Sequence, residues 1–218
     1  EIASCLVGSE MCIRDRHWVN EMTNQTTVPQ GNLLRPACVL ALISLLGFGL
    51  SYSLLATGIG NGLFPEQAGG NLIERDGTVI GSQWVAQPFT SPGYFQARPS
   101  AAGYDPMAMA GSNLARSNPA LRQRIDEQRA VIAAREGIEP GAVPDDLLTQ
   151  SGAGLDPHIS PQAAQIQVAR VARERGMSPG EVQTLVGAYT EGRQWGLFGE
   201  PRVNVLLLNL ALDEAHNR

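Results

Sequence analysis

Ala37 to Ile59 reads ACVLALISLLGFGLSYSLLATGI, and no residue from Pro36 to Pro65 is charged. A helix of that length rises roughly 34 Å, against about 30 Å of bilayer hydrocarbon. A core helix of a soluble protein rarely runs so far without a polar face. A cleaved signal peptide usually has a shorter apolar run ending at a small-x-small site. Leu54-Leu55-Ala56-Thr57-Gly58 offers only a poor one. The stretch therefore predicts an uncleaved transmembrane helix over 37–59. Between Met22 and the span the only cation is Arg35, whereas Glu66, Glu74 and Asp76 follow it, with Arg75. The positive-inside rule then predicts a short cytoplasmic N-terminus over 22–36 and an extracytoplasmic domain over 60–218. Ser44, Gly47, Gly49, Ser51 and Ser53 lie within the span. Small residues let helix backbones approach, so they suit a partner helix as well as a lone anchor.

Beyond the span, strand-like and helix-like stretches alternate. Asp76-Gly77 is a turn signal before β-rich Thr78-Val79-Ile80 and Trp84-Val85. Residues 86–117 are rich in Pro, Gly, Ser and Ala and predict long loops. Asn118-Pro119 opens a helix, with Leu121, Ile125 and Ile132 on one face. Ser160-Pro161 opens a second, with Ala164, Val168 and Val171 on one stripe. Ser178-Pro179-Gly180-Glu181 is a capping box ahead of Val182, Leu185, Val186 and Tyr189. Val203-Asn204-Val205-Leu206-Leu207-Leu208-Asn209-Leu210 predicts a buried strand passing into a short helix. The expected fold class is an α+β soluble domain attached to a single N-terminal transmembrane helix.

Composition removes several function classes. The net charge of −5 leaves no basic face for nucleic acid. Lysine is absent, and all 16 basic residues are Arg. Within these residues there is thus no P-loop, no Schiff-base lysine and no Asp-Lys-Thr-Gly phosphorylation motif. Cys5, Cys12 and Cys38 are the three cysteines, so the domain has neither a disulfide nor a thiol nucleophile. The run CLVGSEMCIRDR, Cys5 to Arg16, resembles a translated sequencing-adaptor artefact. Residues 1–21 are set aside on that ground, with Met22 read as the start.

Asp156 and His158 are the pair that invites a catalytic reading, since an Asp can orient a His that acts as base near neutral pH. Pro157 separates them, and no Gly-x-Ser-x-Gly motif accompanies them. The bland reading is a rigid loop whose Ser160 caps a helix. No multi-His metal site is expected, because His216 lies at the far end. No catalytic residue is assigned. Tyr94, Phe95 and Arg98, with Asp156 and His158, are candidates for a partner interface, where aromatic residues and Arg concentrate binding energy. A membrane-anchored hydrolase using Asp156 and His158, and a binding protein unrelated to transport, remain as alternatives.

Several segments, in order, resemble the C subunit family of the Kdp potassium-transporting P-type ATPase. They include Tyr94-Phe95-Gln96-Ala97-Arg98-Pro99-Ser100, Gly111-Ser112-Asn113-Leu114 and Val143-Pro144-Asp145-Asp146-Leu147-Leu148-Thr149. The longest are Ser151 to Ala164, SGAGLDPHISPQAA, and Gly199 to Asp213, GEPRVNVLLLNLALD. The resemblance implies a non-catalytic subunit of a high-affinity potassium import complex in the bacterial inner membrane. Its implied partners are a potassium-channel-like subunit, the P-type ATPase subunit and a very small fourth subunit, with lipid around the span. Family descriptions also make it a catalytic chaperone that raises the ATP affinity of the ATPase subunit. That implies a nucleotide contact through a Gln after the Gly-Leu-Asp segment, which Gln162 matches. No cofactor is implied for the chain alone; ATP enters only with the ATPase subunit. An extracytoplasmic domain and a direct contact with cytoplasmic ATP exclude each other.

Overall fold

The computed structural model describes residues 32–216. The segment 1–21, the expected start at Met22 and most of 22–36 lie outside the described residues. The backbone divides at Ile59–Gly60, and each unit is taken by itself.

From the first unit, α1 (Leu34–Ile43) runs through a π-helical segment (Ser44–Leu50) into α2 (Ser51–Leu63), whose last turn lies past that division. This continuous helix, Leu34–Leu63, is long and apolar enough to cross a membrane, and none of its most apolar stretch is buried. It extends the predicted 37–59 by several residues at either end: the uncharged sequence continues to Pro65 on one side, and Arg35 and Pro36 fall in the first turn on the other, where proline is tolerated. Serine hydroxyls inside it bond to its own carbonyls: Ser51 Oγ donates to Leu46 O at 3.1 Å and Ser53 Oγ to Gly49 O at 2.8 Å. Such back-bonding lets a polar side chain sit in an apolar span without an unpaired donor.

In the second unit, α3 (Pro65–Ala68) precedes an antiparallel hairpin of β1 (Leu72–Arg75) and β2 (Thr78–Ser82) turning at Asp76-Gly77. Asp76 and Gly77 both have positive φ, as a tight hairpin turn requires. Trp84-Val85, expected to be β-rich, forms a turn instead. The ladder ends at the Leu72–Ser82 pair, and Trp84 N then donates to Ser82 Oγ at 3.2 Å. Long loops follow, as the composition predicts, up to α4 (Pro119–Glu136). Asn118 Oδ1 accepts from Ala120 N at 3.0 Å at its start, and Gly137 adopts a left-handed conformation after its end.

After α5 (Asp145–Leu148) comes β3 (His158–Ile159), then α6 (Pro161–Gln165), α7 (Val168–Arg175) and α8 (Pro179–Ala188). The helix expected from Ser160 is thus broken in two. Gln167 causes the break: its backbone N–H donates to Ala164 O, while its side-chain amide donates to Ala163 O at 3.1 Å, the carbonyl an unbroken α-helix would pair with that N–H. The capping box before α8 forms in both directions, with Glu181 N donating to Ser178 Oγ at 3.2 Å and Ser178 N to Glu181 Oε2 at 2.8 Å.

The chain closes with β4 (Thr190–Glu191), β5 (Arg202–Asn204) and α9 (Val205–His216). Strand β5 lies between β3 and β4, antiparallel to both. The final apolar run is mostly helix, and longer than expected. Asn204 ends the strand, its Oδ1 accepting from Leu207 N at 3.1 Å as an N-cap. Val171, Val182, Val186, Val203, Leu208 and Leu212 form the centre of the core, where the predicted helix stripes meet the sheet.

Side-chain amides hold the extended segment around Phe95 as a strand would. Asn209 accepts from Phe95 N at 2.8 Å and donates to Phe95 O at 2.9 Å. Gln167 does the same with Gln96, at 2.8 and 3.2 Å. Beside them Arg170, only 3% exposed, donates to Glu136 Oε2 at 2.9 Å, to Gln167 Oε1 at 2.9 Å and to the carbonyls of Pro92 and Tyr94. Arg135 donates to the other oxygen of Glu136 at 2.6 Å.

Candidate functional site

Ser151-Gly152-Ala153-Gly154 brings two stretches of backbone together where side chains cannot fit. Gly154 has φ +75°, and a Cβ there would meet Ala102 Cβ, Ala110 O and Ser100 Oγ, all at 2.9 Å. A Cβ on Gly111 would meet Gly152 O at 2.6 Å. This close packing leads the chain into Asp156, whose neighbours come from three parts of the sequence. Arg98 Nη1 donates to Asp156 Oδ2 at 3.1 Å, Nε to Asp146 O at 3.2 Å and Nη2 to Thr149 Oγ1 at 3.3 Å. Asp156 Oδ1 accepts from His158 N at 3.0 Å and lies 3.3 Å from His158 Nδ1. Asp146 accepts from both Ser160 N at 2.7 Å and Ser160 Oγ at 3.1 Å. Ser160 Oγ in turn caps α6 through Ala163 N at 3.0 Å. Tyr104 OH donates to Arg98 O at 2.9 Å, and burial raises its phenol above the ordinary value against the opposing charge of Arg135.

Arg98, Asp146, Asp156, His158 and Ser160 line a shallow cleft of about 330 Å³, together with Glu200 and Arg202. Arg98, Asp156 and His158 are therefore brought together, as a chain of paired polar groups. The His158 ring is 12% exposed, lies 6.4 Å centroid to centroid from Trp84, and its Nε2 is buried without a hydrogen-bond partner. A general base must come within about 3 Å of the proton it takes, and Nε2 is enclosed in this structure. Among the described residues no group of three or more His, Cys, Asp or Glu side chains could hold a metal ion.

The other candidates lie elsewhere. Tyr94 OH donates to Asp213 Oδ2 at 3.2 Å, and its ring lies beneath Arg175 at 4.5 Å. Phe95 is fully enclosed in the core, which withdraws it from any exposed interface. The aromatic-plus-Arg pattern is divided by strand-like alternation: Tyr94 and Phe95 point to different surroundings, and Arg98 turns to the Asp156 cleft. Gln162 is exposed on α6 and does not line that cleft. The residue that sequence reasoning overlooked is Asp146, the anchor of Ser160 from 14 positions away. No local pattern signals such a contact.

Asp156 is held below the ordinary carboxylate value. Burial is the largest influence and acts upward, but the bonds from His158 and the charge of Arg98 together outweigh it. A depressed folded value means the stabilisation is fully present above the unfolded value of about 3.9 and is lost as pH falls through the folded one. Asp156→Asn is thus expected to lower the denaturation midpoint at pH 7, with wild type and variant converging below about pH 4. A gap that stays constant down to pH 3 would mean that the carboxylate charge contributes nothing.

A helix long and apolar enough to cross a membrane, followed by a small α+β domain, is the architectural class the structure defines. The family described as "K+-transporting ATPase, c chain" matches residues 34–214. A "Potassium-transporting ATPase KdpC subunit" of Xanthomonas campestris pv. campestris is 57% identical over 194 residues, 89% of this chain and 93% of that protein. Proteins of the same description from Shewanella putrefaciens and Methylococcus capsulatus are 52% and 51% identical, covering 87% and 84% of this chain and 94% and 97% of their own. The chain belongs to the KdpC family, the C subunits of potassium-transporting ATPases.

Proposed function

We propose that the chain is the non-catalytic C subunit of an ATP-driven, high-affinity potassium import complex, and that it acts by holding the larger subunits together. The observation that carries this reading is the combination of one apolar helix with a domain in which Asp156 is taken up by Arg98 on one side and His158 Nδ1 on the other. Such a domain has surface to offer a partner and no group aligned for turnover. Its partners are the potassium-channel-like subunit, the P-type ATPase subunit and the small fourth subunit. The exposed parts of Tyr94, Arg98, Asp156 and His158 are its candidate contacts.

The complex lies in the inner membrane, with the N-terminus of this chain in the cytoplasm and its domain outside. Arg35 before the span and Glu66 and Glu74 after it support that orientation. Protease added to spheroplasts is expected to digest the domain while leaving the span. Protection of the domain would reverse the topology and favour the chaperone reading, in which the domain raises ATP affinity from the cytoplasmic side. For that second reading the supporting feature is Gln162, exposed on α6 just after Ser160-Pro161. An outside domain leaves any effect on ATP affinity to be exerted through the assembled partners.

A further inference from the structure

A cavity of about 320 Å³ lies between α3 and the β1–β2 hairpin, with Pro65, Glu66, Asn71, Leu72, Ile73 and Gln83 in its walls. Its volume is at the low end of the range for small-ligand sites, about 300–1,000 Å³. The backbone around it is held in place: Asn71 N donates to Glu66 O at 2.8 Å, and Gln83 N to Asn71 O at 3.0 Å. Yet Asn71 Oδ1 is buried with no hydrogen-bond partner. A buried acceptor left unpaired is costly, so this oxygen calls for a donor. The same amide donates to Gln83 Oε1 over a long 3.3 Å. The terminal torsion of Asn is soft, so the oxygen can turn toward an incoming group. Among the described residues that line the cavity, Glu66 alone is charged. An anion would meet no cation there. The matching ligand brings positive charge and N–H donors: a primary ammonium, whose three hydrogens divide between the Glu66 carboxylate and Asn71 Oδ1.

Position along the chain indicates the source of that ammonium. The helix Leu34–Leu63 has 30 residues and rises about 45 Å, which matches a bilayer with both headgroup layers, about 40–45 Å. Pro65, the first wall residue, follows the end of that helix by two positions, so the chain enters the cavity at headgroup level. Leu63 and Phe64 just before it are 69% and 57% exposed, and Leu72 in its wall is 56% exposed. Apolar side chains at that depth suit contact with the upper part of acyl chains.

We propose that this cavity binds the primary ammonium headgroup of a phosphatidylethanolamine-type membrane lipid through Glu66 and Asn71. This rests on the membrane crossing proposed above, whichever way the chain is oriented. The test is native mass spectrometry of the full chain in detergent with defined lipids. Ethanolamine and choline headgroups carry the same charge, but the trimethylated choline nitrogen has no N–H to donate. Wild type is expected to retain the ethanolamine lipid about tenfold over the choline lipid with identical acyl chains, the ratio for a lost charge-assisted hydrogen bond. Glu66→Gln, at an exposed position, is expected to bring that ratio toward one. So is Asn71→Gly, which suits the backbone there at φ +46°. Equal retention of the two lipids by wild type, or a preference that both variants keep, would overturn the proposal. Displacement of the lipid by equimolar phosphoethanolamine, the headgroup without chains, would make a soluble amine the ligand and overturn the assignment to lipid. Release of the chain from membranes by alkaline carbonate would instead overturn the membrane crossing, so the two failures are separable.

Discussion

Cells that depend on this pump are expected to stop growing at limiting potassium when residues 32–213 of the subunit are deleted, and the remaining subunits to lose their co-purification. Among the described residues one helix is long and apolar enough to cross a membrane, and a single helix cannot enclose an ion path alone. No residue from Pro36 to Pro65 is charged, so the span offers no intramembrane group to bind or relay an ion. On the assembly role proposed above, it supplies contact through an apolar helix and a folded domain. The effect should be close to all-or-none for high-affinity uptake, because a complex that does not assemble has no partial activity to retain. Growth should recover at high external potassium, which separates loss of this pump from general sickness. Unimpaired growth at limiting potassium, with an intact remaining complex, would show that the subunit is dispensable.

Glu136→Ala is expected to cost the domain about 3–5 kcal/mol, the range for removing one partner of a buried ion pair. Glu136 is the last residue of α4, where the helix dipole disfavours a carboxylate. Arg135 and Arg170 overcome that by taking one oxygen each. With the carboxylate gone, Arg170 keeps its bonds to Gln167, Pro92 O and Tyr94 O but has lost its counter-charge in a buried position. The extended segment around Phe95 depends on the same cluster, so the damage should spread to the core beneath it. Against a total stability of about 5–15 kcal/mol, a large part of the population would unfold. Arg129→Ala is the comparison. Its pair with Asp126 is exposed, one helical turn apart, and such pairs contribute about 0.5 kcal/mol or less. Denaturant midpoints of the detergent-solubilised chain measure both; equal shifts would mean that the Glu136 cluster is no more than a surface pair.

Local patterns foretold much of the fold. The uncharged stretch after Arg35, the Asn118-Pro119 start and the Ser178–Glu181 capping box each rest on neighbours within a few residues, and each forms. Those features act over a single turn or a single span, so a reader of the sequence sees all their parts at once. The break at Gln167 was not legible, because it needs a buried amide that also serves Gln96, 71 positions earlier. The length of α9 was hidden for a similar reason: an apolar, partly β-branched run suits strand or helix until Asn204 is seen to turn inward as a cap.

At the candidate site the division is sharper. The sequence by itself determined which groups were present: Arg98, Asp156, His158 and Ser160, with no lysine and no thiol in the domain. It also determined membership of the family, since ordered segments along the chain carry that resemblance. Only the tertiary structure decided what those groups do to one another. Asp156 is 58 positions from Arg98, and whether it serves a base or a structural arginine depends on how the Ser151–Gly154 loop packs. Likewise Phe95 and Trp195 are both large aromatics in loops, yet one is sealed in the core and the other stands in water. Asn209, 114 positions away, holds the backbone of the first, while a left-handed turn pushes out the second. Contacts of that range have no local signature, because they arise from chain segments that meet only after folding.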